Sequence, residues 1–386
     1  MERRTFLRLS VLGTGTVAFS GSLWHGAAAA APAQLAPSPY GPLQAANSHG
    51  IQLPVGFTSQ IVARSRQVVA GTSYTWHDAP DGGACFADGT GWIYVSNSEV
   101  GSGGGGASRI RFNSSGAVIG ASRILSGTNR NCAGGKTPWN TWLSCEEVET
   151  GRVWESYPFG GTAVARPAMG RFNHEAAAAD PVRRAIYLTE DMTDGCFYRF
   201  VPSTWGNLSS GTLQVLRAGT ATSGSFTWAT VPDPDGSPTA TRNQVSGAKR
   251  FTGGEGCYYA NDTVWFTTKG DNRVWQVNLL NSTYELAYDD SLVSPGTPPL
   301  TGVDNITGTS AGDLYVAEDG GNMEICMITQ NDQVSTFLRV NGQSGSELCG
   351  PAFNPAGNRL YFSSQRGTSG SASGGITYCI TGPFRT

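Results

Sequence analysis

The sequence predicts an all-β chain folded as a six-bladed β-propeller, and three observations lead to that reading. The 386 residues include 52 Gly and 20 Pro, set among short apolar runs that alternate with polar residues, the pattern of half-buried strands closed by tight turns. No stretch carries the spacing of a convincing amphipathic helix. A loose repeat of roughly sixty residues recurs six times, each copy passing through a turn with Gly, Asn or Asp-Pro into a strand with an aromatic residue. These strands are Trp92-Ile93-Tyr94-Val95, Thr141-Trp142-Leu143, Ala185-Ile186-Tyr187-Leu188, Val264-Trp265-Phe266, Asp313-Leu314-Tyr315-Val316 and Arg359-Leu360-Tyr361-Phe362. A small antiparallel sheet buries both faces only against neighbours, which a radial array of six supplies. A two-sheet sandwich is the competing arrangement.

The repeat is preceded by a different kind of segment. Glu2-Arg3-Arg4-Thr5-Phe6-Leu7-Arg8 sets two adjacent arginines before Phe-Leu, and a weakly apolar stretch over residues 9–23 leads to small residues at 27–31. This is the pattern of a twin-arginine export signal with its cleavage site. Residues 1–30 are therefore expected to be a leader, residues 31–48 an extended Pro- and Ala-rich lead-in, and residues 49–386 a single propeller domain. Gly13, Gly15 and Gly21 interrupt the apolar stretch and argue against a membrane anchor. The protein is expected to be exported, to the periplasm or beyond, with the twin-arginine machinery as a partner and no membrane association once the leader is removed.

The net charge of −3 becomes more negative without the leader, which takes away Arg3, Arg4 and Arg8 against Glu2. Nucleic acid is not an expected partner of such a surface. Eight cysteines show neither a CxxC pair nor zinc-finger spacing, and their pairing cannot be read from the sequence.

The polar residues of the repeat carry the functional argument. Ahead of the strand aromatics come Asp81, Cys132, Glu175, Glu255, Asn305 and Glu347; shortly after them come Asn97, Glu146, Glu190, Thr268, Glu318 and Ser364. The start of one strand and the end of its antiparallel partner share an edge, so if the first strand lines the channel both sets converge on one mouth. Paired acids recur at one place in the repeat, as Glu146-Glu147, Glu190-Asp191 and Glu318-Asp319. Crowded carboxylates escape repulsion by protonation or by binding cations. Many oxygen ligands suit Ca²⁺, Mg²⁺, Mn²⁺ or ferric iron, and a thiolate among them argues for a transition metal at one position. Four histidines, one of them in the leader, give little support to a His-rich zinc or copper site. Taken singly, each acid has an ordinary role as a turn cap, Cys132 as a buried apolar residue and His174 as a core histidine.

Several segments resemble the PhoX-type alkaline phosphatases and their shorter relatives: NCAGGKTPWNTWLSCEE (131–147), GRFNHEAAAADP (170–181), YLTEDMTDGCFYRFVP (187–202), EGCYYANDTVWFTTKGDNRVWQV (255–277), DNITGTSAGDLYVAEDGGN (304–322) and ELCGPAFNPAGNRLYFSSQRG (347–367). The resemblance implies a six-bladed propeller whose channel mouth holds ferric and calcium ions, Fe³⁺ and Ca²⁺, bound by one cysteine and many carboxylates. It implies Cys132 as the iron-binding cysteine, Glu146 or Glu147 as a ligand, Glu175, Asp191 and Glu255 as further ligands, and Glu318 and Asp319 on the calcium side. Cys132, Glu175 and Glu255 would then form the catalytic core. The chain departs from the family at Gly253, where an arginine that would contact phosphate is expected two residues before Glu255. Lys249, Arg250, Arg273 or Arg366 are the candidates to replace it.

The reading that follows is an exported metal-dependent phosphatase acting on a small-molecule phosphate monoester. A calcium-dependent hydrolase of lactonase type and a non-catalytic, metal-stabilised binding propeller are the alternatives. Cys132 discriminates between the first two, because a lone calcium site has no use for a thiolate.

Overall fold

The computed structural model describes residues 31–385, so the expected leader lies outside the described residues. Antiparallel sheets follow one another along the chain as six blades. Blade 1 runs through Pro80–Asp88, Gly91–Ser98, Gly105–Phe112 and Val118–Thr128, and blade 2 through Asn131–Lys136, Trp142–Glu146, Val153–Ser156 and Val164–Ala165. Blade 3 begins with His174–Asp180 and Ala185–Glu190, blade 4 with Gly254–Ala260 and Thr263–Thr268, blade 5 with Val303–Gly308 and Leu314–Glu318, and blade 6 with Leu348–Phe353 and Arg359–Ser364. Each aromatic run expected from the repeat falls on the second strand of its blade.

The first strands stand side by side in a ring around the axis. Residues 83–85, 134–136, 177–179, 257–259, 306–308 and 351–353 line a channel of 310 Å³. Small residues permit this approach: a Cβ on Gly134 would lie 1.9 Å from the Leu143 carbonyl oxygen, and one on Gly135 2.0 Å from that of Ala177. Neither contact can relax, because each involves backbone.

Aromatic side chains pack between neighbouring blades. The rings of Tyr94 and Tyr361 stack at 4.8 Å between blades 1 and 6, and those of Phe197 and Phe266 at 4.3 Å between blades 3 and 4. Such pairs add about 1 kcal/mol each to the burial of their area. Trp142 instead reaches sideways, its Nε1 donating to Asn97 Oδ1 of blade 1 at 2.9 Å.

The ring closes with strands from both ends of the chain. Thr58–Arg64 pairs antiparallel with Ile376–Thr381 and forms the outer strand of blade 6. Within the lead-in, Gln34–Leu35 runs parallel to Gln333 and Val334 at the edge of blade 5, where Ile51–Gln52 also pairs. All eight cysteines are unpaired. Among the described residues, no helix is long and apolar enough to cross a membrane.

Candidate metal centre

Every first strand is interrupted by a register shift close to its start, at Pro80/Gly83, Asn131/Gly134, His174/Ala177, Gly254/Cys257, Val303/Ile306 and Cys349/Ala352. A bulge of this kind re-aims the side chains it contains. In five blades the first residue inside it is Asp81, Cys132, Glu175, Glu255 or Asp304, and these form an inner tier at one channel mouth. Blade 6 has Gly350 there instead, and Glu347, three residues earlier, supplies the acid. Asp81, Glu175, Glu255, Asp304 and Glu347 are all buried. Asn305, expected at this position, is displaced by one residue: its Oδ1 accepts from Gly350 N at 2.6 Å and its Nδ2 donates to Asp304 Oδ1 at 2.8 Å.

A second tier comes from the ends of the second strands, and here the paired acids divide. Successive residues of a strand point to opposite sides, so only one member of each pair can face the mouth. Glu146 turns away; Asn129 N donates to its Oε1 at 2.9 Å and Arg152 N to its Oε2 at 3.2 Å. Glu318 does likewise with Thr301 N at 2.7 Å and Glu324 N at 2.9 Å, and Glu190 with Cys196 N at 3.0 Å. In all three the six-residue step from acid to amide pins the loop that follows the strand. Glu146 and Glu318, expected as ligands, are thus loop anchors with their oxygens engaged by backbone, while Glu147, Asp191 and Asp319 stand at the mouth. Thr268 and Ser364 follow the same rule, with Oγ1 of Thr268 donating to Asp271 and Oγ of Ser364 to Ser346. Glu99 takes the second-tier position in blade 1.

One residue further back on three of these strands, a side chain grips the bulge of the next blade. Asn97 Nδ2 donates to the Cys132 carbonyl at 3.1 Å, Thr189 Oγ1 to that of Glu255 at 2.5 Å, and Thr267 Oγ1 to that of Asp304 at 2.5 Å. These ties set the position of the inner tier independently of anything it binds.

Three sets of ligand atoms lie mutually within 4.8 Å: Cys132, Glu147 and Glu175; Glu175, Glu255 and Asp304; and Asp81, Glu99 and Glu347. Atoms that close can share one ion, because ligands on opposite sides of a calcium ion with bonds of about 2.4 Å stand about 4.8 Å apart. Glu175 belongs to two sets. It is completely buried, and its Oε2 has no hydrogen-bond partner, a state that costs about 1–3 kcal/mol even for a neutral group. Burial, and then the charges of Glu255, Glu147, Asp304 and Asp81, hold its carboxyl well above the usual range. Burial, and after it the charge of Glu99, push Glu147 to about 9 and Asp81 to about 7; burial pushes Glu255 to about 8 against the opposing Lys269 ammonium; and burial with neighbouring acids raises Asp304, Glu347 and the Cys132 thiol. Cations relieve such a cluster, and a soft thiol among hard oxygens fits a mixed set that includes a transition metal.

The expected ligand set lacks Asp81, Glu99, Asp304 and Glu347, of which Asp81 and Glu347 are visible as repeat positions. Of the cations considered in place of an arginine at 253, only Arg366 reaches the mouth, where its Nη1 donates to Glu347 Oε2 at 2.8 Å. Lys249 is held by the carbonyls of Gly219 and Ala221, Arg250 by that of Asp194, and Arg273 by Asp271 and Asp289. Lys269, absent from that group, does reach it, with Nζ 2.8 Å from Glu255 Oε1. His174 is a core residue, its ring stacked on Phe172 at 3.6 Å and its Nε2 bonded to the Gly170 carbonyl.

Comparison with known proteins matches residues 102–160 and 156–285 to the family described as Alkaline phosphatase PhoX. No curated protein matches the sequence. Among solved structures, PhoX of Pseudomonas fluorescens in complex with vanadate, a transition state analogue, is similar at a TM-score of 0.71 and 18% identity, over 91% of this chain and 98% of that one. A gluconolactonase of Xanthomonas campestris is similar at 0.48 and 12%, over 90% and 99%, and the calcium-binding protein regucalcin of Agrobacterium tumefaciens at 0.49 and 12%, over 85% and 96%. The segments matched to the family contain Cys132, Glu147, Glu175, Asp191 and Glu255, five of the residues gathered at the mouth. With these residues on a shared propeller, the chain belongs to the PhoX family of alkaline phosphatases.

Proposed function

We propose that this phosphatase is an exported phosphomonoesterase whose chemistry takes place at a mixed iron and calcium centre in the channel mouth. The observation that carries the proposal is Glu175, a buried carboxylate whose Oε2 has no hydrogen-bond partner and which is shared by a set that contains a thiol and a set that contains only carboxylates. Cys132, Glu147 and Glu175 would hold iron; Glu175, Glu255 and Asp304 would hold a neighbouring ion, and Asp81, Glu99 and Glu347 a calcium ion. When bound, such ions draw charge from phosphoryl oxygens and make a deprotonated oxygen available near neutral pH.

The protein's own residues do the positioning. The bulges aim the inner tier inward, and Asn97, Thr189 and Thr267 fix three of its members through their carbonyls. Arg366 spends one donor on Glu347 and keeps 35% of its side chain exposed; its remaining guanidinium donors suit a phosphoryl oxygen. The ring of acids repels anions that bring no compensating cation contact, which favours a compact monoester head over an extended polyanion.

The test is elemental analysis of the purified exported protein alongside hydrolysis of p-nitrophenyl phosphate. Iron with calcium, and turnover that strong chelators abolish, are expected. Turnover indifferent to chelation would overturn the proposal, and calcium alone would favour a hydrolase of another class.

A further inference from the structure

The second tier is acidic in blades 1, 2, 3 and 5, as Glu99, Glu147, Asp191 and Asp319, but the equivalent residue of blade 4 is Lys269. Its ammonium is surrounded by carboxylates from three blades: Glu255 Oε1 at 2.8 Å, Asp319 Oδ2 at 3.4 Å and Asp191 Oδ2 at 3.9 Å. In the three sets of ligand atoms described above each cation of the chain meets a single acid, Lys269 at Glu255, Arg366 at Glu347 and Arg130 at Glu99. In this fourth group one ammonium meets three acids.

Lys269 is also held from behind. It opens a single 3₁₀ turn, Lys269–Asp271, whose backbone is tied to the preceding loop by Lys269 N to the Gly253 carbonyl at 2.8 Å and Gly270 N to the Thr252 carbonyl at 3.0 Å. Gly253 is itself fastened to blade 3 by its N–H, which donates to the Met192 carbonyl at 2.8 Å. A Cβ added at Gly253 would lie 3.2 Å from Asp191 Oδ1 and 3.8 Å from Lys269 Cβ. A side chain at 253 would thus start between Asp191 and the turn that Lys269 opens.

We propose that Lys269 is a tethered counter-ion, standing among Glu255, Asp191 and Asp319 in the place of a divalent cation, so that this chain needs one bound ion fewer than its acids would otherwise take. The inference rests on the metal-centre reading above. A covalently held monovalent charge cannot be chelated away, but it neutralises less than a divalent ion would, and it leaves Glu255 shared between the ammonium and the set with Glu175 and Asp304. An ammonium carries three donors and no fixed plane, so it can serve three carboxylates from different directions, which a flat guanidinium does less well.

The experiment compares metal content of the wild type, Lys269→Met, Lys269→Glu and Lys269→Arg after equilibration with calcium and iron and removal of free ions. Terbium luminescence serves as an independent probe of the calcium-type positions, and thermal melts confirm that each variant is folded. Lys269→Met, which keeps the apolar stem, and Lys269→Glu, which restores the acid of the other blades, should each gain one divalent ion per chain. The glutamate variant should hold it more tightly, and Lys269→Arg should keep the wild-type count. Folded methionine and glutamate variants with the wild-type count would overturn the proposal. An unchanged count together with a KM for p-nitrophenyl phosphate raised tenfold or more at constant kcat would also overturn it, by making Lys269 a substrate contact. A wild type that binds no metal would sink the metal centre itself, an outcome separate from either.

Discussion

Replacing Glu175 by glutamine should move the stability of this protein in opposite directions with and without metal. Glutamine has the shape of a protonated glutamate and cannot ionise. In the metal-free protein, two ionised carboxylates at the 4.8 Å limit of these sets repel by about 3.5 kcal/mol at an effective dielectric constant of about 20. Glu175 meets that cost once its neighbours titrate, with Glu255 pushed to about 8 and Glu147 to about 9. For a folded unit of this length each kcal/mol moves Tm by about 1.3 °C, so Glu175→Gln should melt about 5 °C higher than wild type at pH 9 in chelator and at the same temperature near pH 5. With metal the sign reverses. The variant loses an anionic ligand from two sets at once; a hundredfold loss of affinity at saturating metal removes about 2.7 kcal/mol, a fall of about 4 °C. Paired thermal melts at pH 5 and 9, with chelator and with iron and calcium, are the assay. A loss of the same size under all four conditions would show that Glu175 is only packed and would refute the shared-ligand reasoning.

The metal-free protein should lose stability as pH rises. Asp81, Glu255 and Glu147 have folded values raised to about 7, 8 and 9, so their contribution is fully present below the ordinary carboxylate range and is lost as pH climbs through 7 to 9. Denaturant melts in chelator would show the slope, and a flat or rising profile between pH 5 and 9 would contradict it. Cys132→Ala should remove iron, p-nitrophenyl phosphate turnover and any visible thiolate-to-iron absorption band; full activity in the variant would defeat the proposed site. Glu146→Ala should lower stability by about 2–4 kcal/mol through the loss of two charge-assisted bonds to backbone amides, yet leave metal content unchanged, whereas Glu147→Ala should reduce metal content; elemental analysis of the two variants side by side separates these roles.

The architecture was legible because alternation and turns are local signals. All six aromatic runs lie on second strands, and the polar residues around them do mark one channel mouth. What the sequence hides is a matter of single residues. Glu146 and Glu147 are equivalent as letters, and only strand register decides which one faces the mouth. Asp304 and Asn305 exchange places in the expectation because the bulge that selects Asp304 leaves no compositional mark. Glu99 lacks the acidic neighbour that draws attention to the other pairs, since blade 1 has Ser98 there. At Gly253 the sequence offers Lys249, Arg250, Arg273 and Arg366, yet the cation beside it is Lys269, sixteen residues on, in the turn that follows the hairpin partner strand and is brought close by the pairing of Gly254 with Thr268.

Closure of the ring by Thr58–Arg64 against Ile376–Thr381 has a consequence in time. Thr58–Arg64 waits for Ile376–Thr381, made much later in synthesis, and the mouth draws side chains from all six blades. A chain still lacking blade 6 cannot present Glu347 beside Asp81, so capture of an ion by that set would mark the meeting of blades 1 and 6. Metal uptake, followed during refolding, would then serve as a clock for completion of the circle.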